Sequence, residues 1–439
     1  MLTPRETAVS IVDRSRTGVV IADRWSGHAR KIFLVAIAIM AAYALLPGRL
    51  PALKKELITG FRSLVVDSDG GQNAADLRAR HDEVQRWFSG KPVYGEVVDG
   101  GVGATYPPQS FVVLWPFLGW NTLSAARWLW AITSVAALAW LAVLLVRGSG
   151  ASTYLERMFV ALFPLATHAT GVTVGNGQLI IHILPPLLTA LIMAHRKPTG
   201  WRRSSAVALL TLAALVKPTI SVPFLWLILF LPGTVKPFLL VSLGYIGLTL
   251  FAASFQEGNL LSLINLWLTH SAMDPFIFDG GHANLHSFLA SLGLHQWKLP
   301  ASFFVLVALG IWTYRYRRQD LWLLLGVTGI VARLWSYHFM HDNLLIVFSE
   351  VALYRTVRQR QLADSTRILA AVLLALSLLL MLPPPSRLFL VWRAGEVFVW
   401  LSVLVFLISQ AMKSSRAAAG VSAPSVPLFA TESSRPQNE

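Results

Sequence analysis

The sequence predicts an all-α integral membrane protein, a bundle of about twelve transmembrane helices with further helices at the membrane surface. Three observations carry this. Of 439 residues, 55% are hydrophobic and 13% charged, with a mean hydropathy of +0.57; a soluble domain carries roughly a quarter charged residues. The apolar residues fall in runs of span-like length. The basic residues sit in short clusters between those runs, as topology requires, rather than in one patch.

Taken in order, residues 1–31 carry Arg5, Arg14, Arg16, Arg24, Arg30 and Lys31 ahead of an apolar run at 32–48. This leader is longer than a signal-peptide n-region, so the run reads as an uncleaved first span with a cytoplasmic N-terminus. Further candidate spans are 124–146, 158–174, 179–194, 204–216, 219–233, 237–254, 300–314, 321–335, 343–354, 368–382 and 389–411. They form one polytopic domain over 32–411, with 49–123 as its first extracytoplasmic loop. The stretch 412–439 is small, polar and Pro-containing, which predicts a disordered cytoplasmic tail.

A cytoplasmic N-terminus puts every dense basic cluster on the same side: Arg147 and Arg157; Arg196 to Arg203; Lys236; Arg315 to Arg318; Arg355 to Arg367; and Lys413. The opposite side receives the loop 49–123, the turn Asn176-Gly177-Gln178, Lys217-Pro218, the connection 255–299, Trp335 to Asn343, and Pro383 to Arg387. The segment 109–120 is too short to cross and is expected in the interface. The absence of cysteine excludes disulfides, thiolate metal sites and cysteine nucleophiles. The net charge of +15 follows from sidedness and does not call for nucleic acid.

The first loop is the polar exception in an apolar chain. It holds Asp67, Asp69, Asp76, Asp82, Glu83, Glu96 and Asp99. From Asp76, the residues Leu77, His81, Val84 and Phe88 form one helical stripe, with Arg78, Asp82, Arg86 and Ser89 turned away and Gly90 as a stop. The pattern predicts a surface helix with Asp76 near its start, where the helix dipole favours an ionised carboxylate.

The run Asp76…Trp87-Phe88-Ser89-Gly90-Lys91-Pro92-Val93-Tyr94, followed by Tyr106-Pro107-Pro108, resembles the first extracytoplasmic loop of glycosyltransferase family 87. Asn176-Gly177-Gln178, Lys217-Pro218, Asn284 with Ser287, and Tyr337-His338 resemble later family segments, in the family's order. The helix LRARHDEV departs from the aromatic, Ala-rich stretch usual there, and Asn284…Ser287 is an imperfect Asn-Gln-Ser step. The resemblance implies a GT-C-like bundle with juxtamembrane helices in the first loop. It implies a polyprenyl-phosphate sugar donor, typically mannose, a glycolipid or cell-envelope glycan acceptor, and no metal or other cofactor.

On that resemblance Asp76 is the base for the acceptor hydroxyl, while the departing phosphate needs cations or hydrogen-bond donors. Capping its helix is the plainer role for Asp76. Lys217 and Arg333 are phosphate candidates; Lys217 also fits a snorkelling lysine. His338 is a donor to phosphate or sugar, or an interfacial structural histidine. Asn176, Gln178, Asn284 and Tyr106 are candidate substrate contacts, though polar residues at turns need no such role. His341 and Asp342 form a further candidate pair. Asp67 and Asp69 fit a turn better than a metal site, and His282, Asn284 and His286, with Asp274 and Asp279, match no helical metal motif. Arg393 and Glu396 are spaced for a structural ion pair.

The reading is a sugar transferase of the cell (inner) membrane, multi-pass, with both termini cytoplasmic. Its rivals are a transporter or flippase, another GT-C-like enzyme such as a lipid-to-lipid sugar transferase or glycan ligase, and a noncatalytic envelope-assembly subunit. Polar residues gathered at one face count against a transporter, which holds its polar groups at mid-membrane.

Overall fold

The computed structural model describes residues 58–65, 73–94, 104–165, 167–196, 200–272, 284–384 and 389–421. The expected first span 32–48, the segment 1–31, Asp67, Asp69, Glu96, Asp99, Asp274, Asp279, His282 and the tail beyond 421 lie outside the described residues.

All regular structure among the described residues is helical. After a short helix at 58–65 come α1 (Ala75–Phe88), α2 (Pro108–Leu118), α3 (Leu123–Ser149), α4 (Tyr154–Leu162), α5 (His168–Asn176) and α6 (Ile180–His195). They are followed by α7 (Trp201–Ala214), α8 (Pro218–Phe230), α9 (Val235–Ala253), α10 (Leu260–Ala272) and α11 (Leu285–Ser291). The chain closes with α12 (Lys298–Tyr316), α13 (Leu321–Leu334), α14 (Val347–Arg358), α15 (Asp364–Leu380) and α16 (Phe389–Val421). A 3-10 stretch, Met340–Ile346, joins α13 to α14.

The protein is membrane-embedded. By length and composition α3, α9, α12 with its 3-10 lead, and α16 can each cross a bilayer, and the bent pair α5–α6 makes a fifth crossing if counted as one. At the centre, α6 is apolar on all sides and buried along most of its length against α3, α7 and α8. Its Pro185 and Pro186 lie inside the helix.

Three expectations change. The run 158–174 is not one span but α4 and α5, separated around Pro164, with Thr167 accepting from Thr170 N at 3.2 Å to restart the helix. The connection 255–299 contains α10 and α11, whose apolar spacing is too short to stand out as spans. The last helix runs to Val421, past the boundary at 412, because Ala-rich sequence there favours helix.

Helix α3 separates two ends of the bundle by about 40 Å for its 27 residues at 1.5 Å each. At its N-terminal end, the carbonyl of Asn121 meets the His81 ring of α1 at 3.1 Å. At its C-terminal end, Gly148 O accepts from Arg355 at 2.7 Å and Gly150 O accepts from Arg358. Arg355 also pairs with Asp320 at 2.8 Å, and Arg358 lies 3.5 Å from Glu156. The basic connections around 150, 318 and 358 therefore gather at one end, and α1 at the other.

Candidate functional site

The site is built around the start of α1. Ala74, the residue before the helix, is buried with φ 55°, a left-handed conformation uncommon for a residue with a Cβ. Its N–H donates to Gly175 O at 3.1 Å, which pins the helix start to the end of α5. There Gly177 turns the chain at φ 71°, and a Cβ on it would run into Leu77. This contact brings Gln178 to Asp76: the buried amide donates to the carboxylate Oδ2. Asp76 lies half-buried in the first turn of α1, and the N-cap position belongs to Ala74. Asn176 closes α5 and is half-buried one residue before the turn.

Lys217 is held by both of its flanks. Ser110 Oγ donates to Val216 O at 2.7 Å, and Trp335 Nε1 donates to Thr219 O at 2.8 Å. The ammonium thus sits between the Tyr106-Pro107-Pro108 segment and the 335–343 connection. It donates to Asp342 Oδ1 at 3.2 Å. His338 Nδ1 lies 2.8 Å from Asp342 Oδ2, and His341 Nε2 lies 3.7 Å from the same oxygen. Burial opposes ionisation of Asp342, but the Lys217 ammonium, with the His338 hydrogen bond, overrides it and holds the carboxyl well below the usual range. Burial holds His341 down to about 4, and lowers His338 despite Asp342. The arrangement is an ammonium–carboxylate pair with neutral imidazoles beside it.

Tyr106 sits against α1. It is buried, with its carbonyl accepting from Tyr94 OH at 2.7 Å and the Arg80 guanidinium 4.4 Å over its ring. Burial pushes its hydroxyl up to about 12; Lys217 and Arg80 oppose this, and Asp76 and Tyr337 add to it. The phenol therefore senses the Asp76 carboxylate and the Lys217 ammonium together. His341 senses both as well, and its carbonyl accepts from Thr173 of α5 at 3.4 Å.

Two residues nominated from sequence take structural partners. Asn284 caps α11, accepting from Ser287 N at 2.9 Å, while its amide donates to His338 O at 3.2 Å. Arg333 is buried at the end of α13, donating to Asn343 Oδ1 at 2.6 Å with its guanidinium 5.4 Å over Trp400. Asn343 passes the link to Glu396 at 3.5 Å, and Glu396 pairs with Arg393 at 2.5 Å.

Sequence reasoning missed Arg80 and Glu83. They pair at 2.6 Å on the buried face of α1, where Trp87 also turns inward. Their spacing of four and seven residues from Asp76 puts them on its face of the helix, which was the available signal. Burial pushes Glu83 up to about 7, with Arg80 pulling the other way. Among the described residues, Arg80 Nη1 and Glu83 Oε2 are buried with no hydrogen-bond partner.

Fold and site together define an all-helical membrane-embedded protein with a cluster of ionisable groups where α1, α5 and the 335–343 connection meet. Comparison with protein-family models, characterised proteins and solved structures gives no match.

Proposed function

We propose that this protein is a multi-pass glycosyltransferase of GT-C type in the bacterial cytoplasmic membrane. It takes a sugar, mannose first among candidates, from a polyprenyl-phosphate donor at the outer face and passes it to a hydroxyl of a glycolipid or cell-envelope glycan. Asp76 is the general base: its carboxylate accepts the hydroxyl proton as the oxygen attacks the anomeric carbon and the sugar–phosphate bond breaks. The phosphate leaves carrying the bond's electron pair, toward the cationic side of the cluster. The donor's prenyl chain stays in lipid.

One observation carries the reading. A half-buried carboxylate in the first turn of α1 accepts from the buried Gln178 amide at the α5–α6 turn, on the helix whose Arg80 stacks over Tyr106. Sidedness supports it too, since α1 lies at the end of α3 opposite the basic connections that the positive-inside rule assigns to the cytoplasm. The further spans of a twelve-helix GT-C bundle belong to this proposal.

The test is transfer from radiolabelled polyprenyl-phosphate mannose by purified protein in detergent. Asp76→Asn is expected to lower the rate by about 10²- to 10⁴-fold, the usual contribution of a positioned base. Transfer unaffected by this change sinks the assignment of the base.

A second reading rests on the 113° bend between α5 and α6 beside Asp76. Broken helices with polar ends are how transporters hold charged substrates. Uptake of a labelled anion into vesicles without any sugar transfer would favour that reading.

A further inference from the structure

The cations nominated from sequence are already engaged. Lys217 faces Asp342, and Arg333 is bound to Asn343 and stacked over Trp400. Arg80 differs. One arm of its fork reaches Glu83 at 2.6 Å, while Nη1 is buried with no partner, and its plane lies 4.4 Å over Tyr106. The residue is 8% exposed and Nη1 itself is buried, so the open N–H is shielded from bulk water. A buried guanidinium N–H left unpaired is costly unless something fills it, and its planar fork matches the oxygens of a phosphate. Glu83 keeps the guanidinium balanced while the site is empty, and its own Oε2 is unpartnered as well.

We propose that Arg80 is the phosphate grip of this site, binding the oxyanion of a prenyl phosphate through Nη1, with Glu83 as the internal counter-ion that the phosphate displaces. This deepens the transferase reading and rests on it for the identity of the lipid. Position supports it: Arg80 lies one turn along α1 from Asp76, so base and grip approach one substrate from neighbouring places on one rigid helix.

The experiment measures binding of farnesyl phosphate to the full-length protein in detergent by intrinsic tryptophan fluorescence, with farnesol, inorganic phosphate and phosphatidylglycerol as parallel probes. Arg80→Gln is expected to weaken farnesyl phosphate by about tenfold or more, as loss of a charged hydrogen bond does, and to leave farnesol unchanged. Arg80→Lys, which keeps the charge and loses the fork, is expected to fall between. Glu83→Gln removes the competitor and is expected to tighten farnesyl phosphate. This arm decides the matter even where Arg80→Gln fails to fold.

The proposal is overturned where wild type prefers farnesyl phosphate no more than farnesol, where Arg80→Gln binds it normally, or where Glu83→Gln weakens it. Arg80-dependent binding of inorganic phosphate or phosphatidylglycerol at equal affinity supports the oxyanion grip and reassigns its source. Neither sugar nor acceptor is needed, so a failure of sugar transfer is read separately from a failure of the grip.

Discussion

Two Arg-x-x-Glu pairs with the same spacing sit in very different surroundings. Arg393 and Glu396, in α16, lie 2.5 Å apart, and the second carboxylate oxygen accepts from Asn343, which in turn holds Arg333. Arg80 and Glu83, in α1, lie 2.6 Å apart beside Tyr106, and each keeps a buried atom without a partner. The first pair is part of a closed network that ties α13, the 340–346 stretch and α16 together. The second is unfinished. Satisfied buried pairs hold a fold in one arrangement, whereas a pair with open valences is where a polar ligand has something to gain.

The largest expected effect breaks the closed pair. Arg393→Met leaves Glu396 buried without its cation, which costs about 3–5 kcal/mol. The expected result is a lowered unfolding temperature or loss of monodisperse protein in detergent, partly recovered by the double change Arg393→Met with Glu396→Met. Equal tolerance of Arg393→Met and Arg80→Met would erase the contrast.

Arg80→Met is expected to cost less, about 1–3 kcal/mol, because it also removes a buried N–H that has no partner. The unfolding temperature in detergent near pH 7 measures it.

A smaller effect follows from Glu83 alone. Its folded value, about 7, lies above the ordinary 4.5, so the stability linked to its neutral form is fully present below about pH 4.5. That stability is lost as pH rises through 7. Unfolding followed between pH 4.5 and 8 is expected to show this slope, and Glu83→Gln to flatten it. An unchanged slope in the variant would assign the titration elsewhere.

Asn284→Ala gives the smallest effect, about 1 kcal/mol for loss of a helix cap. Transfer measured alongside separates cap from substrate contact: a rate loss far beyond the stability loss would return Asn284 to the site.

Much of the architecture is legible in the pattern of apolar runs. The expected segments 179–194, 237–254, 300–314 and 321–335 correspond closely to α6, α9, α12 and α13, since a run that must avoid water announces itself by composition. The break in 158–174 was not legible that way, because composition there stays apolar while Pro164 and Thr167 interrupt the backbone. Of the site, Asp76 at a helix start was readable from its dipole-favoured position and Gly90 stop. Its tie to Gln178 was not, for the two are 102 residues apart. Asp342 was weighed only with His341, yet it anchors Lys217 and His338 across 125 and 4 residues. Arg80 and Glu83 take no role from sequence, because i, i+3 spacing says that two residues can meet and nothing about whether water reaches them.

By itself, then, the chain determined an all-helical, largely apolar body, the polar composition of one segment, and basic residues clustered in the connections. These follow from local quantities: hydropathy, periodicity and charge count within a window. Only tertiary structure decided which polar groups are neighbours, which are already satisfied, and which are left open. Those outcomes depend on contacts between segments far apart in sequence, where a few ångströms separate a neutralised cation from an available one.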